Sequence, residues 1–320
     1  MRRREFVAVL VSALAGSPRY SGAQTLTNDR VPTILFVNIS GARGAVLAAL
    51  QRSLKRLGYS AENHRLIVTQ PDRVTDFALT ITQRRVDVIF AASPEGVRAA
   101  REIAQAVPIV ALDLETDPVG VGWVETYARP GRNLTGLFLD QPALAAKWLQ
   151  VIKEAAPAAA RIAVLWDPAT GTSQRRAVET EARLLAIELQ VFEYHAPGLD
   201  RIFAQAVSQD CRAAVILSSP QVVRDRTQLA ELSIRAGLPS ISMFPQFAQA
   251  GGLFAYGVDT AMMAERAAVF IDKILKGQKA SDIPIEQPTE FRLVINLKTA
   301  KALRIAVPVS LLARADEVIE

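Results

Sequence analysis

One cysteine, Cys211, stands in 320 residues, so no disulfide can form within the chain, whatever the redox state of its compartment. It lies just before an apolar run, where a buried thiol is the expected state. Histidine is nearly as scarce: His64 and His195 are the two, and neither has another His or Cys at metal-ligand spacing. A zinc site or a Ser-His-Asp triad is therefore poorly supplied. The phosphate loops and the nucleophile elbow are missing as well. There is no G-x-x-x-x-G-K-[ST] and no G-x-S-x-G, and the stretch Asn38–Gly44 after the first apolar run offers only Gly41 and Gly44 where a dinucleotide fold wants G-x-G-x-x-G. Acids that follow apolar runs (Asp113, Glu115, Asp117, Asp167) have no Lys, His or metal constellation beside them in sequence. The expectation is a protein that is not an enzyme and holds no cofactor and no metal. Beyond residue 23 no apolar run is long enough to cross a bilayer.

Excess charge is small too. The formal net charge is +5, but Arg2, Arg3, Arg4 and Arg19 against Glu5 account for +3 of it, leaving the rest of the chain near +2. The remaining basic residues are scattered along helix-like segments such as 43–57 and 175–188 among acids and apolar positions. That is a solvated helix face rather than the clustered basic surface nucleic acid requires, so no nucleic-acid partner is expected.

What is present begins with an address. Arg2–Arg4 form a positive n-region, Phe6–Leu14 is almost wholly apolar and too short to span a bilayer, and Ser21-Gly22-Ala23 supplies small residues ahead of a cut before Gln24. This order reads as an export signal over 1–23. Arg3-Arg4-Glu5-Phe6-Val7 also fits a twin-arginine pattern. The expected location is the periplasm of a bacterium.

The remainder reads as alternating strands and helices. Thr33–Val37, 61–68, Val86–Ala91 and Pro108–Leu112 are strand candidates; 46–57, 72–84 and 94–106 between them are helical. The pattern repeats with strands at Arg161–Trp166, 190–194, 213–217 and 239–243 and helices at 173–185, 199–208 and 223–236. Half of the residues are hydrophobic, ample for two cores, and a prior of about 150 residues per domain also gives two. Runs of β-branched residues alternating with helices predict parallel sheets covered on both faces, and so two Rossmann-like doubly wound α/β lobes.

Ligands bind such sheets outside the carboxyl ends of the strands. The loops there hold Ser40-Gly41, Ser93-Pro94, Asp113 to Asp117, Asp167 to Ser173 (with Thr170), Ser218-Ser219-Pro220, and Tyr256 to Asp259. Small hydroxyls and carboxylates ahead of helices suit ligand recognition at free helix N–H groups, although Ser and Asp are favoured N-caps whatever the function. Phe244 follows a strand and is placed to wall a pocket, as are Phe247 and Trp166; Trp148 belongs in a helix core. The candidate ligand-binding set is Ser40, Gly41, Ser93, Pro94, Asp113, Asp117, Asp167, Thr170, Ser218, Ser219, Phe244, Tyr256 and Asp259. Asp113 and Asp167 are the residues expected to meet an ammonium.

Several stretches carry a resemblance: Asp117-Pro118-Val119, Arg129-Pro130-Gly131-Arg132-Asn133-Leu134-Thr135-Gly136, Ala250-Gly251-Gly252-Leu253, Tyr256-Gly257, Ile274–Gly277, Gln287-Pro288-Thr289, FRLVINLKTAKAL at 291–303 and SLLARADEVIE at 310–320. Over essentially its whole length the chain resembles ABC-transporter substrate-binding proteins of the tryptophan/tyrosine type, a branch of the type I periplasmic binding proteins. The resemblance implies a type I periplasmic-binding-protein fold, with lobes joined by three crossovers near 137–141, 256–259 and 286–290. Lobe one would hold 24–138 plus 259–287, and lobe two 139–258 plus 288–320. It implies a monomer that closes on a small molecule, possibly an amino acid, and delivers it to an inner-membrane permease driven by a cytoplasmic ATPase. A ligand sensor for a membrane receptor without transport is the alternative. The chain departs from the family at 91–96, at Asp167-Pro168, where relatives often carry Asn-Pro, and at ALDLET (111–116), where added carboxylates favour an amine-bearing ligand.

Overall fold

The computed structural model describes residues 30–38, 43–69, 74–195 and 197–320. The export signal and the candidates Ser40 and Gly41 lie outside the described residues.

The first sheet is made by β1 (Thr33–Asn38), β2 (Arg65–Thr69), β3 (Val88–Ala92), β4 (Ile109–Asp113) and β5 (Leu134–Phe138), in the order β2-β1-β3-β4-β5. Every pairing is parallel. Helices α1 (Arg43–Arg56), α2 (Val74–Arg84) and α3 (Pro94–Ile103) connect the first four strands. All five residues of β3, of β4 and of β5 are buried, which is why these strands read as unbroken apolar runs and not as alternating ones. α1 turns Val46, Ala49, Leu50 and Leu54 inward at helical spacing.

The second sheet repeats the plan. α4 (Gln141–Ala155) precedes β6 (Arg161–Trp166); α5 (Ser173–Leu184), β7 (Glu188–Glu193), α6 (Leu199–Ser208), β8 (Ala213–Ile216), α7 (Pro220–Arg224), α8 (Arg226–Arg235), β9 (Ser240–Ser242), α9 (Pro245–Gln249) and β10 (Phe254–Gly257) follow. The strands run β7-β6-β8-β9-β10, which is the order of the first sheet shifted along the chain. After α10 (Thr260–Leu275), β11 (Arg292–Asn296), α11 (Leu297–Ala302), α12 (Val309–Leu312) and β12 (Glu317–Ile319) extend this second sheet. β11 pairs antiparallel to β10, and β12 pairs parallel to β11.

The chain passes between the sheets three times. β5 ends in the first sheet and α4 packs against β8, β9 and β10 of the second; β10 ends in the second and α10 returns to pack on α1, β3, β4 and β5; β11 then rejoins the second sheet. One buried apolar cluster runs through both halves, from Phe36 and Phe90 to Val164 and Phe254. Cys211 is buried and free, and burial raises its thiol pKa.

Strand ends in this fold are punctuated by a cap and a proline. Ser93-Pro94, Asp167-Pro168, Ser219-Pro220 and Phe244-Pro245 each stand where a strand gives way to a helix or a 3-10 turn. Proline there lacks only an N–H that no helical carbonyl would receive. The device sets each helix start close to the strand's carboxyl end. The predicted helix at 223–236 is in fact two, because Ser219-Pro220 starts α7 early and Asp225 closes it before α8.

Candidate functional site

A cavity of about 380 Å³ lies at the carboxyl ends of both sheets, within the size range of small-molecule sites. From the first sheet come Ala92, Ser93 and Pro94 after β3 and Leu114 and Glu115 after β4, with Gly44, Ala45 and Val46 at the start of α1. From the second come Ser219, Pro220, Val223 and Arg226 after β8, and Phe244 and Gln246 after β9; Thr260 opens α10 beside them. Ser93 holds a strained backbone, with φ 124°, while its Oγ accepts the Gly96 N–H at 3.2 Å and caps α3. A non-glycine residue with positive φ outside a turn costs on the order of 1–3 kcal/mol and gathers at functional sites.

Glu115 and Arg226 are the charged residues among the described lining. Arg226 donates from Nη1 to the Val223 carbonyl at 2.8 Å. Glu115 is 5% exposed, and the buried Ser218 hydroxyl donates to its Oε1. That bond joins the loop after β4 to the loop after β8, so the two sheets touch through a serine and a carboxyl group. Gln174 fixes Ser218 from behind: its Nε2 donates to Ser218 O at 2.8 Å and its Oε1 accepts the Ser218 N–H at 2.9 Å. Burial first, and then the charge of Asp113, raise the Glu115 pKa. Asp113 is raised by burial as well, partly offset by hydrogen bonds from Thr116 and from the Glu115 N–H.

Of the sequence candidates, Ser93, Pro94, Ser219 and Phe244 line this cavity, and Ser218 sits directly behind it on Glu115. The other candidates among the described residues are placed elsewhere. Asp113 is fully buried, and its Oδ1 accepts the Glu115 and Thr116 N–H groups, both at 3.0 Å. Asp117 accepts the Val119 N–H at 3.1 Å. Asp167 accepts the Ala169 N–H at 3.0 Å, and Thr170 donates to the Asp167 carbonyl at 2.8 Å. Tyr256 stacks on Phe291 with ring centroids 5.7 Å apart. Asp259 caps α10 at Ala261 N and lies 3.7 Å from Arg292. Trp166 donates to Gly171 O at 2.7 Å under the Arg175 guanidinium, and Phe247 is core. Of the lining residues absent from that candidate set, Leu114, Glu115 and Gln246 lie just past strand ends, Val223 lies within α7, and Arg226 opens α8 beyond it. Glu115 carried a signal, as part of the acidic ALDLET stretch; Arg226 carried none.

A larger cavity of about 870 Å³ draws on the second half of α1, on α10 and on the 286–292 connection. It uses none of the loops after β3, β4, β8 or β9. Several of its charges are paired within the protein: Arg56 with Glu265 at 2.6 Å, Arg266 with Glu286 through two bonds of 2.7 and 2.6 Å, and Arg292 with Asp259 at 3.7 Å. It is the roomier space, but it lies away from the strand ends where doubly wound sheets bind ligands.

Comparison with known proteins agrees with this architecture. A family model described as ABC transporter substrate binding protein matches residues 34–319. A tyrosine-binding protein of Clostridioides difficile (strain R20291) is 25% identical over 224 residues, 68% of this chain and 63% of the relative, so the match spans less than two thirds of that relative's length. Among solved structures, an ABC domain in complex with L-Trp from Streptococcus pneumonia aligns with TM-score 0.83 at 18% identity, covering 91% of this chain and all of the other. A conserved domain protein from Vibrio cholerae gives 0.82 at 22%, covering 90% and 100%. The ligand-free, open structure of a substrate-binding protein with adhesive properties from Clostridium difficile gives 0.69 at 20%, covering 90% and 99%. At these identities the structural likeness establishes the fold, two α/β lobes of the type I periplasmic-binding-protein kind.

Proposed function

Because the chain belongs to the ABC transporter substrate-binding protein family, we propose that it captures a small molecule of the amino-acid class in the cleft between its lobes and hands it to a membrane permease driven by a cytoplasmic ATPase. The observation that carries this reading is the cavity of about 380 Å³ where the carboxyl ends of two like sheets face each other. One acid and one base among its described lining residues, Glu115 and Arg226, suit a zwitterion, and Val46, Leu114, Val223 and Phe244 suit an apolar side chain. The names of the relatives, one tyrosine-binding and one complexed with L-Trp, support the amino-acid class.

The lobes in this reading comprise 24–138 with 259–287 and 139–258 with 288–320, and they close as one unit around the ligand. Closure by a ligand requires that it bind the closed state better than the open one, since equal affinity shifts nothing. Isothermal calorimetry with L-tyrosine and L-tryptophan, paired with small-angle scattering, tests this. Binding with a smaller radius of gyration is the expected result. Neither amino acid binding removes the amino-acid assignment, and binding without compaction argues against closure.

The same reading places the protein in a bacterial periplasm as a monomer, after removal of residues 1–23. Mature protein should begin at Gln24, and joint replacement of Arg3 and Arg4 by Lys should block export by the twin-arginine route. Normal export of that double variant would point to the general secretory route instead.

A further inference from the structure

Three carboxyl groups gather behind one wall of the cleft. Glu115 lines the cavity, Asp113 is fully buried two residues before it, and Glu95 lies in the first turn of α3. Among the described residues, Asp113 Oδ2 and Glu95 Oε2 are buried and without a hydrogen-bond partner. Buried carboxylate oxygens are ordinarily satisfied, and leaving one unpaired is costly. No grouping of His, Cys, Asp and Glu suited to a metal occurs among the described residues, so the cluster does not read as a cation cage for an ion. What it adjoins is an open cavity with a carboxyl group on its wall.

We propose that the cleft takes its ligand by a primary ammonium group seated against Glu115, and that a proton held by the Asp113–Glu115 pair leaves as the ammonium arrives. The Ser218 hydroxyl already occupies Glu115 Oε1, and Glu115 lines the cavity, so the seat lies where the two lobes meet. The ligand amine is protonated in water. Glu115, protonated in the empty cleft, loses its O–H proton to solvent; the carboxylate left behind accepts a hydrogen bond from R–NH3+. One positive charge enters and one leaves, so the wall never carries an unbalanced charge in a buried setting. The titratable and charged groups around Glu115 are Asp113 on β4, Glu95 on α3 and Arg226 on α8. Ser218 and Ser219 after β8, Gln246 on α9 and Thr260 on α10 add no charge. The direction of the Glu115 shift, upward from burial and from Asp113, agrees with a proton held near neutral pH.

The seat presupposes that the cleft is the ligand site, and its shared chemistry admits two sources, a zwitterionic amino acid or a simple amine. The test is calorimetry at pH 7 in two buffers of different ionisation enthalpy. The probes are L-tryptophan, L-tyrosine, tryptamine, tyramine and, without the ammonium, N-acetyl-L-tryptophan. At least one amine should bind, its heat should differ between the buffers by the release of up to one proton, and N-acetyl-L-tryptophan should fail. Glu115→Gln, which keeps an acceptor for Ser218, should weaken the amine roughly tenfold to a hundredfold and abolish the buffer dependence. Asp113→Asn should reduce proton release at pH 7 by more than any weakening of binding accounts for, an effect that loss of packing would not produce. An amino-acid source is marked by a further weakening on Arg226→Gln, an amine source by indifference to it. The proposal is overturned if no amine binds, if N-acetyl-L-tryptophan binds as well as tryptophan, or if the heat is the same in both buffers. Weakening by Phe244→Ala with no effect of Glu115→Gln keeps the cleft and removes the seat; indifference to both removes the cleft itself.

Discussion

Gln141 Nε2 donates to the Leu114 carbonyl at 2.5 Å, tying the first residue of α4, a helix packed on the second sheet, to the cleft loop of the first. The glutamine is 4% exposed. Replacing it with Met keeps the volume and removes the donor, leaving a carbonyl unpaired beside Glu115. An unpaired buried group costs about 1–3 kcal/mol. Gln141→Met should lower the urea midpoint by less than that, because it also removes the buried, unpaired Gln141 Oε1, and it should weaken ligand binding because Leu114 and Glu115 line the cavity. Unchanged stability and affinity would show that the bond does not hold the loop.

The raised carboxyl groups make stability pH-dependent in a definite direction. In the unfolded chain Asp113 and Glu115 ionise near their ordinary values of 3.8 and 4.5; the fold favours their protonated forms. The folded state then binds more protons than the unfolded one, so stability is full at low pH and falls as pH rises from about 4.5 toward 8. Glu154, Glu265 and Glu286 are shifted the other way by their hydrogen-bond and ion-pair partners, so their contribution is lost only below that window. Urea midpoints at pH 5, 6.5 and 8 should therefore decline, and Glu115→Gln should flatten the decline. An equal slope in parent and variant would exclude Glu115 as its source.

Ser93 allows capping and ligand contact to be separated. Ser93→Ala keeps the strained φ and loses the cap, at a cost of about 1 kcal/mol. Ser93→Gly loses the same hydroxyl but relaxes the backbone and caps tolerably, so its melting temperature should equal or exceed that of Ser93→Ala. If the hydroxyl meets the ligand, both variants should weaken binding alike. Affinity that follows stability instead would leave Ser93 as a cap only.

Gly136, with φ 133°, lies in the middle of β5 against β4, and a Cβ there would sit 2.1 Å from the Ala111 carbonyl oxygen. Neither backbone can move without breaking the ladder. Gly136→Ala should cost about 2 kcal/mol or more, read as a lower thermal midpoint. A midpoint within a degree of the parent would mean that the two strands can separate there.

The long alternating stretches were legible because their signals are local. RIAVLW at β6 and the helix at 199–208 have the bounds that composition and periodicity suggest. β10, β11 and β12 were not legible as strands for reasons other than length: β10 reads FAYG and ends on glycine, and β11 and β12 follow α10 outside the repeated strand–helix series, with β11 paired antiparallel. β5 hides for another reason, since its central glycine breaks the β-branched pattern while serving close approach to β4. At the site, residues that start helices after strands could be read from capping chemistry. Which of them meet across the cleft depends on how two lobes face each other, and no local pattern encodes that. Asp113 and Glu115 show the limit. They are near neighbours in sequence, yet one lines the cavity and the other turns back to hold its own loop.

The return of α10 to the first sheet has a consequence for biosynthesis. All five strands of that sheet have been synthesised once residue 138 has been added, but the helix that packs on β3, β4 and β5 spans 260–275. For about two fifths of translation the nascent chain therefore carries an apolar sheet face that α1 covers only in part. Exposed surface of this kind invites aggregation, so the first half-made product is a natural client for a holding chaperone, released only when more than 120 further residues have been joined to it.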